Sequence, residues 1–121
     1  TSNDVAFKLG QAFSILEAIQ IGANKINTNK EIKSTIRDRY FNSACVTPAM
    51  VFPILMRLKN SHIRKLERDK PNLAKYYEDR LREIFEEVEY FPKRLSLEEQ
   101  GKFILGYYHQ KQSKNEKQEE K

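Results

Sequence analysis

The sequence predicts an all-α fold: a five-helix bundle followed by a short, disordered, charged C-terminal tail. Three observations carry this. No segment alternates apolar and polar residues as a half-buried strand would. Five segments repeat apolar residues at helical spacing. Between them lie caps, prolines and polar clusters that start and stop helices. At 121 residues, with 39% hydrophobic and 32% charged residues, the chain suits one thin helical domain and is too apolar for full disorder. That domain is placed at residues 1–111, with helices over about 2–23, 29–43, 48–68, 71–90 and 97–111 and a tail over 112–121.

The first helix carries Val5, Leu9, Ala12, Phe13, Leu16, Ile19 and Ala23 on one stripe. Gly10 interrupts it at a cost in helix propensity, which suggests that another helix passes close by. The second helix is expected to start at a capping box of Thr28 and Glu31, with Ile32, Ile36 and Tyr40 facing inward. Thr47 and Pro48 have the residue types of an N-cap and first position for the third, whose stripe is Val51, Ile54, Leu55, Leu58, His62 and Leu66. Pro71 opens the fourth, lined by Leu73, Tyr77, Leu81, Ile84, Phe85 and Val88. Ser96 and Glu99 form a capping box for the fifth, with Leu97, Gly101, Ile104, Leu105 and Tyr108 as its inner stripe. From Gln112 onward the chain is charged and has no apolar residue.

Charge is unevenly placed. Residues 1–27 sum to zero and residues 69–121 to −1, whereas residues 28–68 hold nine Lys/Arg against three acids and carry +6. Concentrated positive charge is the footprint of a nucleic-acid contact, and an acidic protein surface would meet it too. Within this third, Lys30, Lys33 and Arg37 are spaced as one outward column, with Arg39 nearer the core margin. On the next helix Arg57, Ser61, Arg64 and Arg68 recur at i, i+4, i+7, i+11, with Lys65 beside them. A solvated face ordinarily mixes signs, as the fourth helix does with Glu78, Asp79, Arg80, Arg82 and Glu83. The candidate nucleic-acid-binding set is therefore Lys30, Lys33, Arg37, Arg39, Arg57, Arg64, Lys65 and Arg68.

Catalytic and metal residues are expected to be absent, as are cofactors. Cys45, His62 and His109 do not fall at zinc-ligand spacing, and none of the four glycines belongs to a phosphate loop. His62 and small Cys45 suit packing positions. Tyr108 is assigned to the core, and Tyr107 is left open as a base-stacking residue. A lone cysteine, no signal-peptide pattern and no apolar run of about 18 residues lead us to expect a cytoplasmic protein that makes no membrane contact.

Longer strings are more specific. "IRDRYFNSACVTPAMVFPILMRL" (residues 36–58), "FPKRLSLEEQGKFILGYYHQK" (residues 91–111) and the opening "VAFKLGQAFSILEAIQ" resemble the C-terminal region of the large subunit of the subtype I-C CRISPR effector complex. In that family this region is also made separately as a small subunit by internal translation; a chain beginning at a helix start fits such a product and equally fits a piece trimmed from the large subunit. The resemblance implies a non-catalytic helical subunit of Cascade. Its partners would be the backbone and large subunits, guide RNA, target DNA and a second copy of itself. It would brace the guide–target heteroduplex and hold the displaced strand, touching backbone while guide pairing reads sequence. Arg37, Arg39 and Arg57 match motif positions; Lys33, Arg64, Lys65 and Arg68 rest on helical spacing. The alternative is a purely structural assembly subunit that never touches nucleic acid.

Overall fold

The computed structural model describes residues 2–27 and 35–119, with side chains described over 4–24 and 35–113. The described residues form five helices and no strand: α1 (Ser2–Asn27), α2 (Ile36–Val46), α3 (Pro48–Asp69), α4 (Pro71–Glu86) and α5 (Leu97–Glu119). The all-α bundle expected from periodicity is what is found.

The first departure is in α1. A single inward stripe was expected, but every residue from Leu9 to Ile19 is buried, including Gln11, Ser14 and Glu17. Helices α2, α3, α4 and α5 all pack against α1, which is the central rod. A helix hydrophobic on one side only could not occupy that place; α1 does so with small residues such as Ala6, Ala12 and Ala18 between its large ones. Gly10 behaves as its position suggested. A Cβ there would lie 1.9 Å from the Phe103 carbonyl oxygen of α5, and at Gly106 a Cβ would lie 2.0 Å from the Phe7 oxygen of α1. Two glycines thus let α1 and α5 cross backbone to backbone.

The second helix begins later than 29. Thr35 is extended (φ −96°, ψ 169°) and caps α2, its Oγ1 accepting from the Asp38 N–H (3.3 Å) while Asp38 Oδ2 accepts from the Thr35 N–H (3.0 Å). An extended residue at 35 is incompatible with one helix over 29–43, so the boundary is corrected to Ile36. The expected box of Thr28 and Glu31 lies outside the described residues. Ile36 N–H donates to the Gln20 side chain at 2.7 Å, tying the start of α2 to α1.

Thr47 joins α2 and α3 as a single residue. The expected side-chain N-cap bond is absent; the Thr47 hydroxyl instead donates back to the Ser43 carbonyl (3.0 Å), as its N–H also does (2.8 Å), closing α2. Pro48 is the first residue of α3, where its missing N–H costs nothing. The buried face of α3 is Val51, Phe52, Leu55, Ile63 and Leu66; Ile54, Leu58 and His62 of the expected stripe are only half-buried.

Helix α4 stops at Glu86 rather than near 90, because the Glu87 and Val88 N–H groups tighten onto Ile84 and Phe85 carbonyls. The connection that follows is pinned to the α2–α3 junction: Leu95 N–H donates to Val46 O (2.9 Å) and Ala49 N–H to Pro92 O (3.0 Å). Phe91 stacks on Phe52 at 5.2 Å.

The Ser96–Glu99 capping box forms as expected (2.8 and 3.2 Å). The stripe of α5 does not. Phe103, Gly106, Tyr107 and Gln110 are buried, whereas Leu97, Ile104, Leu105 and Tyr108 are exposed and nothing lies within 4 Å of a Cβ placed at Gly101. Close approach at Gly106 explains the rotation, since only that face of α5 can meet α1 at backbone distance. The helix continues past 111 to Glu119; side chains 114–121, most of the expected tail, lie outside the described residues.

Candidate nucleic-acid interface

Arg57, Ser61, Arg64 and Arg68 occupy the face of α3 opposite Leu55 and Leu66, which are buried. At 3.6 residues per turn these four positions fall within a narrow angular band, and Arg57 to Arg68 spans about 16 Å of helix axis. Lys65 flanks the row. Arg57, Arg64, Lys65 and Arg68 are all exposed.

Several cations outside the row are ion-paired: Lys8 with Glu87 (2.6 Å), Lys59 with Glu78 (3.4 Å), Lys75 and Arg82 with Asp79, and Arg80 with Glu83 (3.3 Å). None of Arg57, Arg64, Lys65 or Arg68 has an ion pair among the described residues. The Ser61 hydroxyl turns back to the Leu58 carbonyl (3.2 Å), so the row has a low point between its first two arginines. Half-buried His62 lies beside it, its pKa lowered by burial and then by the neighbouring Lys65 charge, which favours the uncharged ring.

Lys30 and Lys33 lie outside the described residues. Arg39 is exposed on α2. Arg37 is not where the expected outward column would put it. Its guanidinium donates to the Tyr108 hydroxyl (2.6 Å) and sits 5.5, 5.2 and 5.6 Å from the ring centres of Phe41, Tyr107 and Tyr108. Electron-rich ring faces attract a cation, and three of them draw this side chain across to α5. Arg37 therefore does not stand with α3's row; the two charged columns expected side by side are one row and one clamp.

Beneath that clamp, Phe13, Phe41, Phe103 and Tyr107 meet edge to face at 5.1–6.0 Å. The Tyr107 hydroxyl donates to buried Glu17 at 2.5 Å, and Lys111 Nζ lies 3.5 Å from the same oxygen. Burial, and next the Glu17 carboxylate, push the Tyr107 hydroxyl well above its ordinary range. Tyr107, held open above as a stacking residue, is thus a core residue, and Tyr108, assigned to the core, is 48% exposed. The buried face of α5 is Phe103, Gly106, Tyr107 and Gln110, at i, i+3, i+4 and i+7, and its polar member Gln110 weakens the apolar signal of that stripe.

Candidate chemical groups are dispersed. Cys45 is buried at the end of α2 with its thiol pushed up by burial, His62 is on α3, and His109 packs on Phe7 of α1 at 5.5 Å. Among the described residues no three His, Cys, Asp or Glu side chains are grouped to hold a metal ion, and no helix is long and apolar enough to cross a membrane.

No curated protein matches the chain. The family model described as CRISPR-associated protein (Cas_Csd1) matches residues 1–114.

Proposed function

The chain belongs to the CRISPR-associated Cas_Csd1 family, and from that premise we propose that it is a non-catalytic small subunit of a type I-C RNA-guided surveillance complex in the cytoplasm. It holds nucleic-acid backbone against α3 while bracing the backbone and large subunits around guide RNA and target DNA. One observation carries the reading: Arg57, Arg64, Lys65 and Arg68 stand exposed along one helix face and none forms an ion pair among the described residues, although Glu67 and Asp69 share the helix. A polyanion gains most from such a row, because each neutralised phosphate releases condensed counterions. Contacts of this kind fix position along a strand and read no base, which suits a complex whose sequence specificity resides in guide pairing.

A second reading has its own support. Leu97 and Leu105 are 85% and 58% exposed, with Ile104 between them on α5, an apolar ridge suited to a neighbouring subunit. In that reading the chain is an assembly subunit alone. Reconstituting the complex with the double variant Arg57→Glu, Arg64→Glu separates the two. We expect assembly to proceed and the displaced DNA strand to lose protection from a single-strand-specific chemical probe. Failed assembly, or normal assembly with unaltered strand protection, would count against strand binding by the row and favour the bracing reading.

A further inference from the structure

We infer that a second contact for single-stranded nucleic acid is built where α2 meets α5, from Arg37, Lys111 and the exposed ring of Tyr108. It rests on the nucleic-acid reading above but uses a different surface and a different chemistry.

The ring of Tyr108 is half exposed yet fixed. It meets Tyr107 edge-on (5.0 Å, 82°), and its hydroxyl accepts from Arg37 at 2.6 Å. An aromatic plane already immobilised loses little freedom when a base stacks on it. Arg37 is likewise held in place, above three rings, and spends one donor on a neutral phenol. A guanidinium has five N–H donors, so four remain for an anion, and it pairs with no carboxylate among the described residues. Lys111, 5.5 Å from the centre of the Tyr107 ring, brings a second cation to the same aromatic residue. The acid whose charge reaches Arg37 is Glu17 of α1, buried and bonded by the same Tyr107 hydroxyl that Lys111 approaches. Two cations around one carboxylate leave a positive excess beside an exposed ring. That combination fits a nucleotide: phosphate on the guanidinium and ammonium, base on Tyr108. A duplex would keep its bases from the ring, so the ligand is a single strand. A purely apolar protein neighbour would strand both charges.

The test is titration of labelled oligodeoxythymidine, and of an abasic strand of equal length, into the full chain across a salt series. Tyr108→Leu keeps an apolar side chain and removes the ring. It should weaken oligodeoxythymidine binding about five- to tenfold, leave the salt slope unchanged and leave abasic-strand binding as in the wild type. Tyr108→Phe, which keeps the ring and its edge contact with Tyr107 but loses the bond from Arg37, should stay within about twofold of the wild type. Lys111→Gln should lower the salt slope by about 0.7. If Tyr108→Leu binds oligodeoxythymidine like the wild type, or loses both strands equally, the site is wrong. If it binds normally but fails to enter the assembled complex, the surface belongs to a protein neighbour and the inference is overturned. Loss of binding in the Arg57→Glu, Arg64→Glu variant alone would then leave the α3 row standing without this second contact. A wild-type chain that binds neither strand would remove both.

Discussion

At Gly10 and Gly106 one methyl group separates a closed bundle from a broken one. Each Cβ would enter the van der Waals shell of a backbone oxygen on the other helix, and backbone cannot swing aside as a side chain can. Gly10→Ala and Gly106→Ala should each cost ~3 kcal/mol, read as a lowered denaturation midpoint. Gly101→Ala, with open space around it on the same helix α5, should stabilise by about 0.5–1 kcal/mol through helix propensity. Destabilisation by all three substitutions alike would mean that helix crossing is not the cause. Tyr77 supplies a pH-dependent counterpart. Burial, and then neighbouring Tyr76, push its hydroxyl up to about 12. The folded state therefore favours the neutral phenol; the stability this confers is complete below pH ~10, the unfolded value, and is lost as pH rises through the folded value. Stability should fall by about 2–3 kcal/mol from this group between pH 10 and 12. Tyr77→Phe should shallow that decline without removing it, since the Tyr107 hydroxyl is raised in the same direction by burial and Glu17.

For the elements, local capping and long-range packing make separate demands. Thr35→Ala removes the acceptor for the Asp38 N–H and should cost about 1 kcal/mol, lost from α2 first and detected as faster amide exchange at its start. Unchanged exchange there would show that the Gln20 bond to Ile36 alone holds the helix start. Caps were the most legible feature of the chain where the chemistry is purely local: Ser96 with Glu99, Pro48 and Pro71 all stand at helix starts as read. The start of α2 was misread because the sequence offers two boxes within eleven residues, and Asp38 is a shorter partner than Glu31. Helix faces were less legible. Periodicity gives an angle for a stripe only if polar residues mark the outside, and Gln11, Glu17 and Gln110 are buried polar residues satisfied by or placed among neighbours on other helices. No local signal shows that Glu17 meets Tyr107, ninety residues away. Gly10 did announce a close crossing, yet its partner Gly106 could be identified only once the helices were in place.

Across the whole molecule, charge segregates by helix. Cations of α4 pair with acids of that helix, whereas the outer face of α3 keeps four cations unpaired among the described residues. The sequence disclosed this row because its spacing lies within one helix, on the face that no neighbour covers. It did not disclose the fate of Arg37, because the rings that hold it come from α5 as well as α2. Membership of the Cas_Csd1 family, shown over residues 1–114, places the row in a CRISPR-associated protein. The most direct test of the row is the slope of log affinity against log salt for a single strand, measured on the wild-type chain and on Arg57→Glu, Arg64→Glu. Four backbone contacts predict a wild-type contribution near −3 and a variant slope shallower by at least about 1.4, with helical circular dichroism unchanged. Equal slopes and equal affinities in the two chains would contradict it.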